Sequence, residues 1–297
     1  MKTLNTETRI QLKNVLFLTD FSPAADSAIP YAAEVAKRFG ARLFALHVQT
    51  PIINPMTEPA TWAALEKAAV EEAATHRATL LKSFPGQQAE VLIREGGLWT
   101  ELDSIVQENR IDLIVLGTRG RSGLAKFLLG STAEEIFRKA PCPVLTVGPF
   151  SPGEPGRSGQ FSEIVYATDF STQSVAAASY ALSIAQEFQA HLTLVHVIAD
   201  DKPGDLVRSA ELVNAAEHRL RGLLPPEAEL WCEPRFIVKL GSAAEHILEV
   251  AKERNANLIV LGIRRSGGFP GAVTHLPIAT AHKVVSHATC PVLTVRG

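Results

Sequence analysis

The chain has 297 residues, 46% of them hydrophobic and 20% charged, with a formal net charge of −2. That length is about twice a common domain, so two domains with ample core are expected. The balanced charge, three cysteines without a C-x-x-C pair, the polar stretch Met1 to Gln11 and the lack of any long apolar run argue against four classes. These are a basic nucleic-acid surface, a disulfide framework, a secretory signal and a membrane span, and a reducing cytoplasm is the expected home.

Leu12 to Asp20 is apolar and ends in polar residues, the pattern of a parallel strand whose carboxyl end faces a ligand. Ser22-Pro23 then starts a helix, serine as cap and proline at the first helical position, which runs to Phe39 and is closed by Gly40. Ala41 to Val48 is the second strand. Pro51 to Pro59 is a proline-rich loop, and Thr61 to Phe84 an alanine-rich helix broken by Pro85-Gly86. Ala89 to Arg94, Leu98 to Asn109 and Ile111 to Leu116 are the next strand, helix and strand. Ala133 to Ala140 and Pro143 to Val147 close the unit as helix and strand. Strands alternating with helices at this spacing predict a doubly wound parallel sheet.

Between the fourth strand and its helix lies the stretch that carries chemistry, Gly117 to Thr132. It contains Gly117, Gly120, Gly130 and Ser131 in a G-x2-G-x9-G-[ST] spacing, with Arg119, Arg121 and Lys126 among them. Glycines let a backbone approach an anion, and the first turn of a helix offers unpaired N–H groups and a positive dipole end. The spacing fits neither the dinucleotide fingerprint nor the P-loop.

The sequence then repeats itself. Ser151 to Gln160 is a Gly/Pro/Ser-rich linker, after which Ile164 to Ser171 echoes Val15 to Ser22 and Leu194-Val195-His196-Val197 echoes the end of the second strand. Leu258 to Gly262 echoes Leu113 to Gly117, and Cys290 to Val295 echoes Cys142 to Val147. Four blocks in one order at a nearly constant offset indicate a tandem duplication: residues 1–150, a linker at 151–160, and residues 161–297.

The T-D-F-S strand end, L-H-V, I-V-L-G, the glycine spacing and C-P-V-L together resemble the universal stress protein family, twice over. The resemblance implies two tandem doubly wound α/β domains, Rossmann-like and of the adenine nucleotide α-hydrolase type, packed as an internal pseudo-dimer. It implies ATP or another adenine nucleotide as ligand, with Mg²⁺ held through the phosphates, no nucleic-acid or membrane partner, and a homodimer of the tandem chain. The matching positions are Thr19 and Asp20 at the adenosine end, Val48 at the adenine edge, and Leu116, Gly117, Arg119, Gly120, Gly130, Ser131 and Thr132 around ribose and phosphates.

In the second half Arg265 stands where Gly120 stood, and Ile278 and Ala279 replace Gly130 and Ser131. A β-branched residue cannot readily take a glycine-only geometry, so this site is expected to be disabled. His47 and His196 read as core histidines, and Cys142 and Cys290 as packing residues. Neither a G-x-S-x-G elbow nor a P-loop lysine occurs, and the resemblance implies a non-catalytic binding protein of the stress response. A slow ATP hydrolase and a ligand-free scaffold are the alternatives.

Overall fold

The computed structural model describes residues 9–49, 59–118, 129–148, 159–199, 206–226, 228, 232–263 and 275–296. In the first half the elements run β1 (Asn14–Leu18), α1 (Pro23–Asp26), α2 (Ile29–Phe39), β2 (Arg42–Gln49), α3 (Pro59–Ser83), β3 (Ala89–Glu95), α4 (Leu98–Glu108), β4 (Leu113–Gly117), α5 (Ser131–Lys139) and β5 (Val144–Val147). The second half gives β6 (Glu163–Ala167), α6 (Thr172–Phe188), β7 (His191–Ile198), α7 (Leu206–Arg221), β8 (Arg235–Leu240), α8 (Ala243–Glu253), β9 (Leu258–Ile263), α9 (His275–His287) and β10 (Val292–Arg296).

Among the described residues ten strands join one sheet in the order β3-β2-β1-β4-β5-β10-β9-β6-β7-β8. Every pairing within a half is parallel, and the halves meet through one antiparallel pair, β5 with β10. The order is palindromic about that junction, so the chain is a pseudo-dimer folded from a single polypeptide. In each half the strand order reverses once, between β1 and β4 and between β6 and β9. Such a switch point opens a crevice at the carboxyl ends of the strands, where α/β sheets take their ligands.

Alternate side chains of each strand go to opposite faces, as the period of two demands. Val15 and Phe17 enter one core layer with Tyr31, Phe84, Phe161 and Tyr166. Leu16 and Leu18 enter the other with Leu102, Ile114, Phe137 and Val284. Both layers continue across the β5–β10 junction, since residues of both halves share each cluster.

The expected helix from Ser22 to Phe39 is in fact two. Ser22 caps α1 by accepting the Ala25 N–H at 3.2 Å, α1 ends at Asp26, and α2 restarts at Ile29 with Pro30 in its first turn. Pro30 has no N–H to give the preceding turn, so the ladder cannot continue through it. The counterpart α6 has no proline and runs unbroken. Gly40, at φ 63°, closes α2 in the left-handed conformation that glycine takes freely.

Candidate functional site

The turn after β1 is built by its own side chains. Thr19 N–H reaches the Leu46 carbonyl at 3.0 Å, its hydroxyl oxygen accepts the Phe21 N–H at 2.9 Å, and Asp20 Oδ1 accepts the Ser22 N–H at 3.0 Å. Phe21 is thereby held at φ 59°, which is uncommon for a bulky residue. The second half repeats this turn bond for bond: Thr168 to the Val195 carbonyl at 3.0 Å, Phe170 to Thr168 at 3.0 Å, and Ser171 to Asp169 at 2.9 Å, with Phe170 at φ 60°. His47 and His196 each place Nδ1 2.8 Å from the carbonyl of the matching threonine, His47 buried as expected of a core histidine and His196 half-buried.

The ring beside each histidine differs in what covers it. Phe21 lies 4.7 Å from His47 and stacks at 4.1 Å on His76 of α3. Phe170 lies 4.4 Å from His196, and the Arg219 guanidinium of α7 sits 3.9 Å above it. These aromatic braces fix the carboxyl ends of β1 and β6. Neither Phe21 nor His76 was singled out in the sequence, although phenylalanine at the same place in both T-D-F-S turns was a usable signal.

β1 pairs with β4 through Leu18 and Leu116, which brings Asp20 and Gly117 to opposite lips of the switch-point crevice. Val48, two residues beyond the Leu18–Leu46 pair, lies half-buried at the end of β2. Leu116 is buried, so it presents backbone rather than side chain. After Thr118 the chain returns at Leu129, and the Gly130 N–H donates to the Thr118 carbonyl at 2.8 Å. Thr118 and Gly130 are thus held together at the carboxyl end of β4. Arg119 and Gly120 lie outside the described residues.

Gly130 caps α5 and accepts the Glu134 N–H at 2.8 Å, but it has no side chain to cap with. The N–H groups of Ser131, Thr132 and Ala133 therefore have no acceptor within the helix. Ser131 and Thr132 are exposed. This is a helix terminus with no side-chain cap, held next to the carboxyl end of β4, the arrangement that suits an anion.

Two expectations change. Gly130 has φ −61° and ψ 149°, an extended geometry open to any residue, so no glycine-only backbone is involved there. Its contribution is the missing side chain. Gly117 is constrained by packing: a Cβ on it would lie 2.2 Å from the Ala24 carbonyl oxygen, and one on Gly262 would lie 2.3 Å from Ser174 Cα. Both glycines let the first helix of each half press onto the carboxyl end of β4 or β9, with or without a ligand.

In the second half α9 begins at His275, about a turn before the residue matching the start of α5. Ile278 and Ala279 therefore lie inside a helix, and the N–H groups matching Ser131, Thr132 and Ala133 are spent on helical bonds. Arg264 and Arg265 lie outside the described residues. Ser174 replaces Ala25, and its hydroxyl donates to Asp169 Oδ1 at 2.7 Å. Burial alone would raise the Asp169 carboxyl. The Ser171 and Ser174 hydrogen bonds outweigh it and hold the group below its ordinary value. In the first half burial, and next the charge of Asp20, push the Asp26 carboxyl up. Burial also pushes the Cys142 and Cys290 thiols up to about 12, which suits packing rather than reaction.

Among the described residues no three His, Cys, Asp or Glu side chains converge as a metal site, and no helix is long and apolar enough to cross a membrane. The family model for the universal stress protein family matches residues 11–148 and again 160–296. A universal stress protein of Mycolicibacterium smegmatis is 28% identical over 296 residues, covering 95% of this chain and 96% of that one. One of Thermus aquaticus is 32% identical over 135 residues, 46% of this chain and 98% of the relative. The crystal structure of a universal stress protein from Archaeoglobus fulgidus superposes with a TM-score of 0.70 at 22% identity, over 97% of this chain and 99% of that chain.

Proposed function

The chain belongs to the universal stress protein family as two tandem domains, and we propose that its first half binds an adenine nucleotide while its second half does not. One observation carries this reading: the uncapped N-terminus of α5, tethered through Gly130 and Thr118 to the β1–β4 switch point. Phosphate oxygens would take the N–H groups and hydroxyls of Ser131 and Thr132. Asp20 and the backbone at Val48 would meet the adenosine end. ATP fits this set best, with Mg²⁺ carried by phosphate oxygens, since no cluster among the described residues would hold it.

The chemistry is binding. No residue at the described rim stands as a base for phosphate transfer, and Asp20 lies at the adenosine end in this arrangement. The role that follows is regulatory, with nucleotide occupancy altering what the rim of the β1–β4 switch point binds.

Calorimetric titration of the full chain with Mg-ATP should saturate near one equivalent. Gly130→Val should weaken it at least ~10-fold while unfolding stays cooperative. The branched side chain shields N–H groups whose bonds to a charged phosphate contribute about 1.5–3 kcal/mol each. Two equivalents, or unchanged affinity in Gly130→Val, would sink the assignment.

A further inference from the structure

The second half has lost its phosphate donors, yet its switch point is not filled. A cavity of about 210 Å³ opens between the ends of β6, β7 and β9 and helices α8 and α9. Its walls are largely aliphatic, with Thr168, Asp169, Ser174 and Thr280 as polar points.

The cavity has a cause in the sequence. Matched through the strand registers and helix starts, three leucines of the first half are trimmed here: Leu18 becomes Ala167, Leu46 becomes Val195, and Leu98 becomes Ala243. Each trimmed residue lines the space. Ile247 and Leu261 keep the remaining wall apolar.

The polar side is equally defined. Asp169 Oδ1 is committed to the Ser171 N–H at 2.9 Å and the Ser174 hydroxyl at 2.7 Å, and among the described residues Oδ2 makes no hydrogen bond. An ionised carboxylate oxygen at the edge of an apolar space selects a ligand that brings one N–H or O–H donor. It also disfavours an anion.

Size narrows the class further. A cavity of about 150 Å³ with aliphatic walls suffices for benzene, and drug-sized ligands need about 300 Å³ or more. The 210 Å³ found here suits one small fused ring and is too small for a nucleoside triphosphate.

We propose that the second half is a separate binding site for a small, uncharged, mostly apolar ring compound carrying a single hydrogen-bond donor, seated among Ala167, Val195 and Ala243 and oriented by Asp169. The two halves then have divided labour: a phosphate-bearing ligand in one, an apolar ring in the other. The reading of the first half is not needed for this one.

Indole is the probe, with N-methylindole as the control lacking the donor, each titrated into the full chain by calorimetry. Saturable indole binding near one equivalent, tighter than about 1 mM, is expected, with N-methylindole at least ~5-fold weaker. Asp169→Asn should remove that preference, since an amide group turns one acceptor into a donor. Ala243→Leu restores the first-half bulk and should cut indole affinity at least ~10-fold. Ala243→Val serves as the milder filling should the leucine variant lose cooperative unfolding. Saturating ATP should leave indole affinity unchanged. Absence of saturable indole binding, equal affinity for both probes in the wild type, wild-type affinity in a cooperatively folded filling variant, or displacement by ATP would each overturn the proposal.

Discussion

A methyl group at position 117 would meet the Ala24 carbonyl oxygen at 2.2 Å, and one at 262 would meet backbone of α6 just as closely. These two glycines look in sequence like phosphate-loop glycines, and the structure makes them hinges of packing. Gly117→Ala should therefore destabilise the protein by about 1–3 kcal/mol or more in urea unfolding. Gly130→Ala, at an ordinary extended geometry, should cost less than about 1 kcal/mol. Equal effects would refute the distinction. Sequence spacing could not separate the two, because the partner of Gly117 is a carbonyl in a helix remote along the chain. Acid tells the same story in the second half. Burial lowers the His196 imidazole and leads its other influences, so the folded state resists its protonation. That stability is present above the ordinary 6.5 and drains as pH falls below it. The hydrogen-bonded Asp169 carboxyl adds stability that is present above 3.8 and lost as pH falls below that value. Stability should thus fall in two stages on acidification, and His196→Gln should flatten the first stage alone in a pH series of denaturant midpoints. An unaltered slope between pH 7 and 5 in that variant would count against the assignment.

At the scale of elements, hydrophobic periodicity made the alternation of strands and helices legible, and the repeat made the second half a check on the first. What it missed lay at helix starts. Pro30 decides the break, since the matching Ser171 caps α6 as Ser22 caps α1, yet α6, which has no proline, runs unbroken. The early start of α9 was hidden because matching the two halves on Cys142-Pro143 and Cys290-Pro291 pairs residues without saying which are helical. That start decides the fate of the donors, and amide exchange reads it directly. Ser131, Thr132 and Ala133 should exchange fast in the nucleotide-free protein and slow on adding ATP. Ala279, Thr280 and Ala281 should be protected from the outset and indifferent to ATP, because their N–H groups are already bonded within α9. Fast exchange at all six amides would return the second half to the list of nucleotide sites.

The whole molecule is held at one seam. Leu145 of β5 faces Leu293 of β10, flanked by Thr146 opposite Val292 and Val144 opposite Thr294. Thr146 Oγ donates to the Val292 carbonyl at 3.1 Å, and Thr294 Oγ to the Val144 carbonyl at 3.3 Å. The seam is its own two-fold copy, so a second β5 could take the place of β10 with the same bonds. Around it, Tyr31 stacks on Phe161 at 6.0 Å, Arg38 covers Phe188 at 5.3 Å, the Ile10 N–H reaches Ser183 Oγ at 3.0 Å, and Arg9 pairs with Glu187. The linker supplies this partner at high effective concentration, which suppresses competing copies. Residues 1–150 expressed alone lose it and expose the apolar β5 edge, a ready template for another strand. A relative such as that of Thermus aquaticus is matched over nearly all its length by one half of this chain. The fragment should accordingly form a homodimer in sedimentation velocity, with Leu145 facing its own copy. Leu145→Arg should return it to monomer by setting two buried like charges against each other. In the full chain the same substitution should lower stability without changing the sedimenting mass of the fold unit, because the linker still holds the halves together. A fragment that stays monomeric at high concentration, or one whose dimer survives Leu145→Arg, would show that the seam owes its pairing to the second half's particular residues rather than to the symmetry of β5 itself.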